Sequence, residues 1–153
     1  MMKGKDRRIG FHSIESIIKN NPYKIKKLFL PFSRNDKRLD NLIELSKKNG
    51  INFEISKKLK KEPEAIIVNE EILNFKDLKS LLIESEKKEL SILILDNIID
   101  PRNLGSCIRS AAVLDVDAII INKHHCAPLN DVAHSVSAGG AEVVKIFHIS
   151  NLI

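Results

Sequence analysis

Apolar positions in the first ninety residues fall into short runs with alternating periods. Ile14, Ile17 and Ile18 recur at helical spacing, with Ser13 placed to cap them. Residues 25–30 read as a strand closed by Pro31. A helix is expected from Lys37 through Leu39, Leu42, Ile43 and Leu45, stopped by Asn49-Gly50. Residues 51–55 alternate as a strand does, residues 65–68 form another, and SKKLKKEPE between them is a charged loop broken by Pro63. Asn74 with Asp77 matches the start of a helix carrying Phe75, Leu78, Leu81 and Leu82.

Beyond the charged run ESEKKE at 84–89 the pattern changes. Residues 90–95 and 118–121 are apolar at nearly every position, as in parallel strands covered on both faces. NLGSCIRSAAVL reads as a helix between them. Asn130 caps a second helix that runs through Ser137 and stops at Ala138-Gly139-Gly140, and residues 143–149 make a third strand. Strand, helix, strand, helix, strand implies right-handed crossovers and a parallel sheet. The expected fold is therefore α/β, with a small unit over residues 1–86 and a parallel-sheet unit over 87–153. Three such strands leave an edge unpaired and a sheet face uncovered, so the second unit reads as the first half of a larger α/β domain, cut short.

Charge sharpens this division. Residues 1–88 carry a balance of +8 and residues 89–153 a balance of −3. A basic module that faces nucleic acid fits the first figure, and so does a solvated lysine-rich surface. Two cysteines make no disulfide framework, and the N-terminus has no apolar signal core, so a cytoplasmic protein is expected. The longest apolar runs are too short to cross a membrane. His124, His125, Cys126 and His134 match no zinc-ligand spacing, so no metal is expected.

The chemistry concentrates in DNIIDPRNLGSCIRSAA. Ligands of open α/β sheets bind beyond the carboxyl ends of the strands, where this loop lies. Asp100-Pro101 favours a turn, Asn103 is a natural helix cap, and Arg102 and Arg109 are seven apart, two helical turns on one face. A turn, a cap and two solvated arginines also account for these residues.

Read together, LILDNIIDPRNLGSCIRSAAVLDVDAIII and LNDVAHSVSAGGAE resemble the first signature motif of the SpoU class of RNA ribose 2'-O-methyltransferases. These belong to the trefoil-knot superfamily, which uses S-adenosylmethionine. GFHSIESIIKNNPYKIKKLFLPFSRNDKRLDNLIELSKKNGINFEI is similar to the ribosomal-protein-like substrate-binding domain of members that methylate a guanosine ribose in 23S ribosomal RNA. The resemblance implies Asn103 and Arg109 as catalytic residues, Arg102 with Arg8 and Lys3 as RNA contacts, ribosomal RNA as partner and a homodimer. A guanidinium has a pKa above about 12, so Arg109 is assigned to gripping a phosphate and stabilising an alkoxide rather than to accepting a proton.

Three departures qualify what the resemblance implies. The two later motifs that build the family's cofactor pocket and knot are absent from these 153 residues, so the cofactor-binding residues are unknown and the chain alone is expected not to turn over. The alternative is a non-catalytic RNA-binding remnant. The family's His-Gln-Gly before the last N-terminal strand reads Pro63-Glu64-Ala65, and the linker is shorter. Asp115 stands where the family has a glycine suited to a left-handed turn. Glu142 fits the family pattern and is read as structural, as is Cys107 on the apolar side of its helix.

Overall fold

Pairing in the first unit centres on one strand, Ile25–Pro31, in the computed structural model, which describes residues 7–68 and 72–152. The strands β1 (Arg7–Ile9), β2 (Ile25–Pro31), β3 (Phe53–Ser56) and β4 (Glu64–Ile67) form one sheet in the order β1-β4-β2-β3. β2 and β3 are parallel, joined by the crossover helix α2 (Lys37–Lys48), while β4 runs antiparallel to β1 and β2. Helix α1 (Phe11–Asn20) and α2 bury Phe11, Ile14, Ile17, Ile18, Leu39 and Leu42 with Leu28, Leu30, Ala65 and Ile67. Asp36 caps α2 by accepting from Arg38 N and Leu39 N, and Gly50, at φ 66°, takes the left-handed conformation beyond its end.

Ser13 does not cap α1. The helix starts at Phe11 after Gly10, whose φ of 97° favours glycine, and Ser13 lies inside it with its Oγ buried and unbonded. Phe11 explains the earlier start: its ring is 2% exposed in the core, with the Arg34 and Arg38 guanidinium groups over it at 4.3 and 4.7 Å.

The chain divides into its two compact units between residues 70 and 71, ahead of the boundary at 86 that charge suggested. Helix α3 (Phe75–Glu84) belongs to the second unit, because Leu78 packs with Ala118, Ile120 and Phe147 there. Its start is the expected capping box, with Asn74 accepting from the backbone of α3 and Asp77 reaching back to Asn74 N at 2.7 Å.

The strands β5 (Ile92–Leu95), β6 (Ala118–Asn122) and β7 (Lys145–Ile149) make a parallel sheet in the order β5-β6-β7. Alternation along β6 decides the layering. Ala118 and Ile120 join the α3 side, while Ile119 and Ile121 join Leu104, Ile108 and Ala111 of α4 (Pro101–Val113) and Ala133 of α5 (Asp131–Ser137). The expectation of two covered faces holds for β6, buried throughout, but not for β5, whose Ile94 is 58% exposed. β5 is a sheet edge, and Leu78 of α3 packs on β6 and β7.

Candidate active site

The carboxyl end of β5 feeds the loop that begins at Asp96, and the end of β6 lies beside it. There Asp96 accepts from Asn122 Nδ2 at 3.3 Å, Asn122 Oδ1 accepts from His124 N at 3.1 Å, and Cys126 Sγ lies 3.2 Å from Leu95 O. Asn97 turns the chain with a positive φ of 58°, a conformation asparagine tolerates better than most residues. Asp100 then accepts from Arg102 N at 2.7 Å and Pro101 takes the first helical position.

Asp100 is therefore the cap of α4, and Asn103 is not. With Asp100 in the capping position and Pro101 first in the helix, Asn103 falls at the third helical position with its side chain exposed. Among the described residues no hydrogen bond holds its amide, and neither Arg102 nor Arg109 has an ion-pair partner. Helical geometry puts Arg102, Asn103, Ser106, Arg109 and Ser110 on the exposed side, with the two arginines about 10 Å apart along the axis. The opposite side, Leu104, Gly105, Ile108 and Ala111, is buried.

Two glycines fix that buried side. A Cβ at Gly105 would meet Ala133 O at 2.6 Å and Val136 Cβ at 2.8 Å, so α4 and α5 cross at backbone contact. A Cβ at Gly140 would lie 3.2 Å from Arg109 Cα and 3.1 Å from Ile108 O. Gly140 is delivered there by the end of α5, where Ala138 and Gly139 are left-handed at φ 51° and 91°. His134 Nδ1 and Glu142 Oε1 lie 3.2 Å apart across that turn, with side chains 4% and 2% exposed, although Nδ1 completes no aligned hydrogen bond. This buried pair escaped the sequence reading, and only the reversal at Ala138-Gly139 brings its members together. The backbone beneath Arg109 is thus held from two sides while its guanidinium stays uncommitted.

The remaining expected site residues fall elsewhere. Arg8 is 2% exposed and donates to Arg7 O at 3.1 Å. Strand alternation turns Arg8 inward and Arg7 outward, so Arg8 does not present itself to RNA. Lys3 lies outside the described residues. Cys107 is half-buried beside the α4–α5 core, as expected, and among the described residues no cluster of metal-ligating side chains forms. Asp115 adopts the left-handed conformation anticipated for it, with φ 54°.

Residues 91–153 match the SpoU rRNA Methylase family, and residues 9–61 match the family described as RNA 2'-O ribose methyltransferase substrate binding. The chain belongs to the SpoU family. It is 37% identical to the 23S rRNA (guanosine-2'-O-)-methyltransferase RlmB of Acinetobacter baylyi, over 94% of this chain and 61% of the relative. The Escherichia coli K12 protein of the same name is 31% identical over 94% of this chain and 62% of its own length. The chain thus spans about three-fifths of the length of the curated relatives it matches. In fold it is similar to the SpoU methyltransferase AviRb from Streptomyces viridochromogenes, solved in complex with AdoMet, with a TM-score of 0.70 at 18% identity, covering 97% of this chain and 56% of that one.

Proposed function

We propose that these residues form the RNA-facing half of a ribose 2'-O-methylation site acting on a guanosine of 23S ribosomal RNA. The observation that carries the reading is the front of α4, without partners among the described residues: Asn103 and Arg109 exposed on a helix whose back is locked by Gly105 and Gly140. In this reading Arg109 holds the phosphate beside the target ribose and stabilises negative charge developing on the 2'-oxygen. Its guanidinium keeps its proton, so it serves as a fixed cation and not as a base. Asn103 orients the hydroxyl, and Arg102 adds a second phosphate contact. Action on ribosomal RNA implies the cytoplasm, and among the described residues no helix is long and apolar enough to cross a membrane.

S-adenosylmethionine supplies the methyl group in this chemistry. The residues present do not fit it: the polar groups at the carboxyl edge, Asp96, Asn122, His124 N and Lys123 N, are bonded to one another or to Ile149 O. The groove bounded by Leu73, Asp77, Leu81, Glu84, Lys145 and Phe147 opens on the α3 side of the sheet, away from α4. The 153 residues by themselves are accordingly expected to bind RNA without turnover. Pairing of two copies belongs to the same reading and is checked by sedimentation.

The test combines calorimetry with filter binding. Wild-type chain should bind a 23S RNA fragment and give no heat with S-adenosylmethionine, and Arg109→Ala should lower the salt dependence of RNA binding by about 0.7–0.9 in log–log slope. Unchanged salt dependence in Arg109→Ala sinks the phosphate assignment. A labelled methyl group transferred by the pure chain, and lost in Arg109→Ala, sinks the expectation of no turnover.

A further inference from the structure

The lysine loop between β3 and β4 has no role in the site described above, yet the structure ties it beside an exposed aromatic ring. Phe32, directly after β2, is 62% exposed, although phenylalanine is usually among the most buried residue types. Its backbone N donates to Ser56 O at 3.3 Å, which sets it against the end of β3 where the loop begins. A tight turn follows, closed by Leu59 N to Ser56 O at 3.2 Å, with Lys57 and Lys58 at its centre. Two residues past Phe32, Arg34 Nη1 donates to Lys61 O at 3.1 Å and secures the far end of the loop. Phe32 therefore lies beside the segment that carries Lys57, Lys58, Lys60 and Lys61, all exposed.

The nearby acids are already engaged. Asp36 bonds Arg34 at 2.5 Å and caps α2, Glu62 lies 3.8 Å from Arg34, and Glu54 pairs with Lys27 at 2.8 Å. Among the described residues none of the four loop lysines has an ion-pair partner. An exposed aromatic ring beside a loop of uncompensated ammonium groups suits an unpaired nucleotide: the base stacks on the ring and the flanking phosphates meet the cations. A protein partner is disfavoured by the same charge, because several lysines at the centre of a contact are rarely tolerated.

We infer that Phe32 is a stacking platform for an unpaired RNA base, with Lys57, Lys58, Lys60 and Lys61 holding the phosphates on either side. The inference rests on the reading of the first unit as a substrate-binding module and names the RNA feature that it takes, a single-stranded segment rather than a duplex.

The chain has no tryptophan, so Phe32→Trp introduces a unique reporter. Adding a single-stranded RNA oligonucleotide to this variant should quench the tryptophan emission, whereas a perfect duplex of the same sequence should quench it far less. Phe32→Ala should weaken single-strand binding about 10-fold, and replacing the four lysines by alanine should lower the salt slope by about 3. Single-strand binding without quenching, or with full affinity in Phe32→Ala, overturns the platform and leaves the substrate-binding reading intact. Wild-type chain that binds no RNA overturns both. Equal quenching by duplex and single strand overturns the choice of an unpaired base.

Discussion

Arginines in the two units lead opposite lives. In the first unit Arg7 pairs with Glu64, Arg34 with Asp36 and Arg38 with Glu15, and Arg8 is buried. In the second, among the described residues, Arg102 and Arg109 have no acidic partner. The unit with the larger positive balance uses its arginines to hold itself together, and leaves lysines to face outward. The unit with the negative balance displays its arginines. A guanidinium matches a carboxylate or a phosphate with equal ease, so net charge alone does not say which it meets. Partners and burial do.

The largest effect that tests this contrast is Arg8→Ala. Removing a buried side chain of that size leaves a cavity and strips a polar partner, which should cost about 2–3 kcal/mol in the unfolding free energy read by urea titration. Arg102→Ala and Arg109→Ala should each shift stability by less than about 0.5 kcal/mol, because exposed side chains without partners hold nothing in place. If Arg109→Ala proved as destabilising as Arg8→Ala, the division into structural and displayed arginines would fail.

A smaller effect lies where α4 turns back toward β6. Asp115, at φ 54°, keeps a conformation that costs a residue with a Cβ about 1–2 kcal/mol. Asp115→Gly relieves that and adds unfolded-chain entropy of about 0.5–1 kcal/mol, so a net gain of about 0.5–1 kcal/mol is expected in thermal melts. A loss would show that the aspartate's charge near Lys87 matters more than its backbone.

Much of the fold was legible because its signals are local. The Asn74–Asp77 capping box, the Asn49-Gly50 stop and the Asn130 helix ending at Ala138 all depend on residues within a few positions of one another. The candidate helix was legible for the same reason, although its cap was misplaced. Pro101 at the first helical position marks Asp100 as the cap, and that rule separates two equally good capping residues. The misses are contacts between distant segments. Which of Arg7 and Arg8 faces inward depends on how a three-residue strand meets β4, and either choice satisfies alternation. Ile94 looks like any core isoleucine until the edge position of β5 is known.

The smallest effect tests a cation engaged at the opposite end of the second sheet from the displayed arginines. Lys87 bonds Asp117, which also accepts from Ser91 N at 2.9 Å where β5 and β6 begin. The hydrogen bond from Lys87, and after it the one from Ser91, hold the Asp117 carboxyl below its ordinary range. A depressed carboxylate stabilises the fold above the unfolded value, near pH 3.9, and that contribution fades as pH falls through the lower folded value. Wild type should therefore be more stable than Asp117→Asn at pH 7, with the gap closing as urea midpoints are followed to about pH 2. Other acids, Asp36 included, remain in both proteins, so the difference isolates Asp117. A gap that persists unchanged into acid would mean that Asp117 acts through packing rather than charge, and that the second unit holds its amino-end cation no more firmly than it holds Arg109.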